Sequence, residues 1–276
     1  MNHRHTLSLP SLAVLGGAFL ALYHPVLLKL IHDWGVDENY SHGYFIPFIA
    51  GYMIWQRKEE LRAIAPEPSF GGLLVLLVGL AQLLIAWVGT EYFFQGTSMI
   101  VVLAGTALFL GGPKVTKRLL VPMAYLIFMI PLPAILWNQV AFPMKLFASF
   151  IAGNTIQALG YTVLREGNIL TLPNITLEVA DACSGLRSLT SLLALSGALA
   201  YLSSLSAGRK WLLFFSAAPI AVLCNVIRLT ATAILARHYG SLVAEGFLHS
   251  FSGWLVFIMG VAMLAGVHGL LKRWEA

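Results

Sequence analysis

The chain is short of charge. Of its 276 residues only 17 are lysine or arginine and 12 are aspartate or glutamate, 11% together. A water-soluble domain carries roughly a quarter of its residues charged, because a globule of this size needs a polar surface. With 58% apolar residues and a mean hydropathy of +0.81, the deficit excludes a soluble enzyme and makes lipid the solvent. Cysteine is scarce too: two residues, Cys183 and Cys224, cannot build a disulfide framework. A single bridge between them is the alternative to a reactive thiol with a structural partner. Neither cysteine sits in a ligand cluster with zinc-like spacing, so no metal and no cofactor are expected. His-Glu-x-x-His and paired intramembrane aspartates are missing as well, which removes the zinc and aspartyl intramembrane proteases.

The long apolar runs show no period-two alternation. A backbone in hydrocarbon must satisfy its own hydrogen bonds, so these runs are helices rather than barrel strands. Neither a repeat nor a low-complexity linker divides the chain, and residues 1–276 read as one integral-membrane domain. Net charge is +5, but the basic residues gather in short loops between apolar runs, which fits membrane orientation rather than nucleic-acid binding. The start has a basic tip, yet its apolar run continues through Leu30 without a small-residue cleavage site, so the first helix is expected to be retained.

The expected fold is an all-α polytopic membrane protein of about eight spans, most of roughly 17 to 25 residues and the second shorter. They cover about 8–31, 44–56, 71–89, 96–111, 119–137, 184–205, 211–236 and 253–271. Basic loops stay cytoplasmic, which puts 57–62, 114–118, 209–210 and 272–273 inside. Segment 138–182 then begins and ends outside. Its first half, 138–161, is interrupted by Pro143, Lys145, Gly153 and Asn154 and reads as an interfacial or re-entrant helix; two short crossings or an extra span are the other paths open to it. Its second half, 165–179, alternates apolar and polar residues around Pro173-Asn174, a hairpin signal at the outer face.

Three residues arrive at that face from separate segments. Cys183, in Asp181-Ala182-Cys183-Ser184-Gly185-Leu186-Arg187-Ser188, opens the sixth span. A thiol at a helix N-terminus is pushed toward thiolate, and the amides of Ser184 and Gly185 are free to receive an oxyanion. Arg228 lies late in a span running outward, where a guanidinium must face the bundle and find a partner; Asn225 and Thr232 share its face. His249 opens the last span, and histidine is the side-chain type suited to proton transfer near neutral pH. Taken singly, each has a plainer explanation: a small buried cysteine, a snorkelling arginine, an interfacial histidine. Together they supply a nucleophile, an oxyanion stabiliser and an acid/base, the set that acyl transfer requires. His238 and His42 are weaker alternatives for the base. Arg187, one turn past Cys183, can support the thiolate or the substrate, and Glu245 can orient His249.

Ala182-Cys183-Ser184-Gly185-Leu186-Arg187-Ser188, Asn225-Val226-Ile227-Arg228 and His249 resemble the three signature blocks of the exosortase/archaeosortase family. Tyr40-Ser41-His42-Gly43 with Pro47 and Trp55 resembles its bacterial branch. The resemblance implies a protein of the bacterial inner membrane with its site facing the periplasm. It implies a cysteine transpeptidase or protease, convergent with sortases, whose partners are secreted proteins bearing a C-terminal PEP-CTERM signal, with an acceptor nucleophile that is not specified. Cys183, Arg228 and His249 would be catalytic, with Ser184, Gly185, Asn225 and Arg187 in support. The rival readings are a transporter, which would carry charges near the midplane between broken or repeated helices, and a polysaccharide-assembly subunit without thiol chemistry.

Overall fold

A computed structural model describes residues 9–173, 175–179, 185–240 and 247–275. Chain contacts group it into two units, Met1–Leu132 and Pro133–Ala276. Among the described residues six helices are long and apolar enough to cross a membrane: Ala13–Val36, Phe70–Val88, Tyr92–Met129, Ala134–Ala158, Ala207–Tyr239 and Gly253–Arg273. Leu186–Leu202 is apolar but shorter. The protein is a multi-pass, helical membrane protein.

In the first unit α1 (Leu9–Val36) leads through a 3-10 helix (Glu38–Tyr44) to α2 (Ile46–Gln56) and α3 (Lys58–Ala63). Then come α4 (Phe70–Val88) and α5 (Tyr92–Tyr125), which runs on as a second 3-10 helix (Leu126–Met129). Leucine gains nothing by leaving lipid for another leucine, so helices in a bilayer associate where small residues let backbones meet. A Cβ on Gly72 would stand 2.1 Å from Phe109 N, and one on Gly105 2.5 Å from Leu76 N. α4 and α5 therefore touch backbone to backbone. Polar ties add to this: Gln82 donates to Phe94 O and Thr97 Oγ1 at 3.0 and 2.8 Å, and Tyr23 Oη meets Ser98 Oγ at 3.1 Å.

The spans expected at 96–111 and 119–137 are two arms of α5 that meet at Gly112. There φ is +80°, a left-handed value that favours glycine, and Pro113 begins the second arm where no donor is needed. That arm is finished by Met129, short of residue 137, because Pro131 and Pro133 deny the backbone two donors. Hydropathy is blind to this break, since Ile130 and Leu132 keep the run apolar.

Non-helical backbone is tolerated near lipid only where protein satisfies it. Trp34 Nε1 donates to Met129 O at 2.7 Å, His42 Nε2 lies 3.1 Å from Phe128 O, and Tyr40 Oη accepts from Leu132 N at 3.0 Å. The Tyr-Ser-His-Gly block is thus a clasp on the break. At the start of the second arm of α5, just past Gly112, Glu60 binds Arg118 at 3.1 Å and Arg57 at 3.3 Å, and Lys114 pairs with Glu67. Loops 57–62 and 114–118 lie on one side, as their charge implied.

The second unit starts with α6 (Ala134–Ala158). Segment 138–161, expected as interfacial or re-entrant, belongs to this one unbroken helix through 158, with the length and hydropathy of a crossing. A three-stranded antiparallel meander follows: β1 (Leu164–Glu166), β2 (Ile169–Leu172) and β3 (Ile175–Glu178), in the order β1-β2-β3. The expected hairpin around Pro173 is the β2–β3 pair, and a two-residue turn at Gly167-Asn168 adds β1. Leu170, Leu172 and Val179 pack with Ala148, Ala152 and Ile156 of α6. Among the described residues three further helices follow: α7 (Leu186–Leu202), α8 (Ala207–Tyr239) and α9 (Phe247–Arg273). α8 supplies Leu229 and Ala233 to the sheet core, and packs Leu213, Ala217, Ala221 and Cys224 against Leu192 of α7 and Leu264 of α9. Arg209 at the start of α8 meets Glu275 at 3.3 Å and Trp274 O at 2.9 Å, joining the second pair of basic ends.

Gly105→Leu is expected to lower stability by about 3 kcal/mol or more, because no rotamer fits between touching backbones. Gly51→Ala, with open space around it, should stay within about 0.5 kcal/mol; unfolding in detergent compares the two. The clasp adds a pH dependence. Burial holds the His42 imidazole below its ordinary range, so the folded chain keeps it neutral. As pH falls through about 6.5 the unfolded chain takes up a proton that the folded one refuses, and stability declines. Melting temperatures between pH 7.5 and 5.5 should fall in the wild type and fall less in His42→Gln.

Candidate functional site

Arg228 sits in the C-terminal half of α8, only 9% exposed, with Asn225 one turn before it at 2%. A guanidinium and an amide this deep in an apolar helix have to be met by polar groups of the surrounding protein. Two other segments close on them. Gly185 precedes α7 with φ +82°, and a Cβ added to it would stand 2.9 Å from Asn225 Cγ and 3.1 Å from its Nδ2. The conformation and the lack of a side chain are both required there: any other residue would be strained and would strike the amide. From α9 comes Gly253, whose Cβ, were there one, would lie 3.9 Å from Arg228 Nη1. His249 is in the first turn of that helix, four residues earlier.

Gly185 is therefore brought against Asn225, one turn before Arg228 on α8, and the helix bearing His249 reaches the arginine. Cys183 and Ser184 lie outside the described residues, as do Asp181 and Glu245, and the His249 side chain is likewise outside them. Arg187 is half-buried in the first turn of α7, where its carbonyl accepts from Thr190 Oγ1 at 3.0 Å. Thr232 is half-buried on α8.

The alternatives are accounted for elsewhere. His42 serves the clasp of the first unit. His238 Nε2 lies 3.4 Å from Tyr161 Oη, and Arg237 stands 5.0 Å over the same ring, so these groups tie the end of α8 to the strand approach. Cys224 is a free thiol, fully buried, its sulfur 3.8 Å from Met263 Sδ. It is a packing residue in the α7/α8/α9 core.

Two features of the site carried no sequence signal strong enough to name them. Gly253 is defined by what it leaves empty beside Arg228, although its spacing of four from His249 was readable. The second is a clamp at the exit of β3: Val179 N donates to Asn168 O at 2.8 Å, and Asn168 Nδ2 donates back to Val179 O at 3.3 Å. It fixes where the chain leaves the sheet for the cysteine block.

Among the described residues no group of three or more histidine, cysteine or acidic side chains is arranged to hold a metal ion. Residues 34–266 match the family model described as transmembrane exosortase. No curated protein and no solved structure matches the chain.

Gly185→Ala is expected to destabilise the second unit by about 2 kcal/mol. Because the new methyl strikes Asn225, Asn225→Ala should recover part of that loss, a coupling of about 1 kcal/mol in a double-mutant cycle. Additive effects would show that the two residues are not in contact.

Proposed function

The chain belongs to the transmembrane exosortase family, and from that premise we propose that it is a membrane-embedded cysteine transpeptidase or protease of the bacterial inner membrane. It acts on the C-terminal PEP-CTERM signal of secreted proteins, with its site at the periplasmic face. The observation that carries this reading is the contact of Gly185 with Asn225 one turn from buried Arg228, with Gly253 of the His249 helix beside the arginine. Cys183 is two residues from Gly185, so connectivity alone keeps their Cα atoms within about 7 Å. Orientation has support of the same kind. The ion pairs Arg118–Glu60 and Arg209–Glu275 each hold two basic segments together, which fits both ends being cytoplasmic.

In the proposed chemistry the Cys183 thiolate adds to the scissile carbonyl carbon. Charge collects on the carbonyl oxygen, where Arg228 and the Ser184 and Gly185 amides would hold it. As the C–N bond breaks, the leaving amine takes a proton from His249, and the acyl group remains on sulfur as a thioester. A water, amine or hydroxyl then attacks that carbon and gives its proton to His249, releasing the thiolate. Water makes the enzyme a protease; an amine or hydroxyl on another molecule makes it a transpeptidase. Arg228 is suited to the oxyanion because its planar fork is fixed by burial and stays charged.

A PEP-CTERM reporter in membranes tests the assignment. Cys183→Ala should abolish processing while insertion is intact, His249→Ala should do the same, and Arg228→Lys should reduce the rate by about 10²-fold or more, since the point charge loses the fork geometry. Processing that survives Cys183→Ala would remove the nucleophile. An acyl-enzyme trapped on Cys183 and released by added amine would identify transfer.

A further inference from the structure

The meander has two edges, and they differ. Its order is β1-β2-β3, so among the described residues nothing pairs with the outer side of β3. The pattern along that strand follows from one bond. Val179 N donates to Asn168 O, which makes 168 and 179 a hydrogen-bonded pair. Antiparallel pairing alternates, so Leu177 with Leu170 and Ile175 with Leu172 are bonded pairs as well. Thr176 and Glu178 then turn their N–H and C=O groups away from β2, to the outer edge.

The opposite end of the sheet is differently placed. Strand β1 is only three residues long and rests on α6: Arg165 stands 5.5 Å over the Phe150 ring and gives its guanidinium to Gly167 O at 2.9 Å. Ser149 Oγ of the same helix holds Gly167 O at 2.9 Å. The sheet is thus anchored along β1 and its turn. β3 also leads directly toward the cysteine block, through Val179, which the Asn168 clamp and the α6/α8 core hold in place.

We propose that the substrate chain binds in extended form as a fourth strand on the outer edge of β3, held by the backbone groups of Thr176 and Glu178. This rests on the cysteine-transferase reading above and names how the same site takes its substrate. A backbone carbonyl is most accessible to a nucleophile when its peptide is extended, since in a helix it is already bonded and shielded by side chains. An edge strand supplies that conformation without reading the sequence, leaving selectivity to side-chain contacts. An exposed edge is otherwise an aggregation liability, which a substrate that pairs there would relieve.

The test uses the full-length protein and a peptide covering the scissile bond of a reporter whose cleavage is Cys183-dependent. Backbone amides of the peptide are replaced one at a time by esters, which removes a donor and leaves the side chains unchanged. Strand pairing predicts a period of two: esters at alternate positions lower kcat/KM about three- to tenfold, and those between stay within twofold. Thr176→Pro, which deletes an outward N–H that β2 does not use, should give a similar loss. Thr176→Ala should change little. A scan without alternation, with Cys183 still required, overturns the strand and leaves the transferase reading intact. Cleavage that does not need Cys183, or no cleavage at all, overturns both. Should the protein self-associate through this edge instead, Thr176→Pro would disperse the oligomer and leave the ester scan flat.

Discussion

A guanidinium held inside a lipid-immersed bundle is the constraint around which the second unit is arranged. Hydrocarbon cannot solvate Arg228, and the helix carrying it is too apolar to do so alone, so other segments must come to it. Gly185 and Gly253 make close approach possible by having no side chains: one lets the approach to α7 lie on Asn225, the other leaves space for Nη1. The same arrangement fits the proposed chemistry, because a buried, immobilised cation is a better partner for a transient oxyanion than one free to follow solvent.

The sheet belongs to this arrangement as much as the helices do. Irregular backbone at the rim of a membrane protein has no water on which to rely, and here it is folded onto α6 and α8 by Leu170, Leu172 and Val179. The first unit solves a related difficulty by other means. Its α5 is broken by prolines, and the released carbonyls and amide are taken up by Trp34, His42 and Tyr40. Both units therefore carry non-helical backbone near the membrane, secured in one by strand pairing and in the other by aromatic side chains.

Much of this was legible in the residues. Low charge and unalternated apolar runs could only mean helices in lipid. The resemblance at Cys183, Asn225, Arg228 and His249 pointed to one family, the transmembrane exosortases whose model residues 34–266 match. What escaped did so for physical reasons. The break at 130–133 is apolar, so hydropathy could not see it. Gly112 and Pro113 join two arms that look like separate spans. Three residues of β1 are too few to show a period, and a glycine whose function is to be absent leaves no chemical mark.

The two ion pairs at the basic ends have a bearing on how the protein is made. Glu60 and Arg118 both belong to the first unit, so their pairing can close that unit while the second is still on the ribosome. Arg209 has to wait longer: Glu275 lies beyond α9, so the whole second unit must be synthesised before this bridge can form. Translation therefore delivers the two halves to the bilayer as consecutive folding problems, and the half holding the buried arginine is the later one to lock.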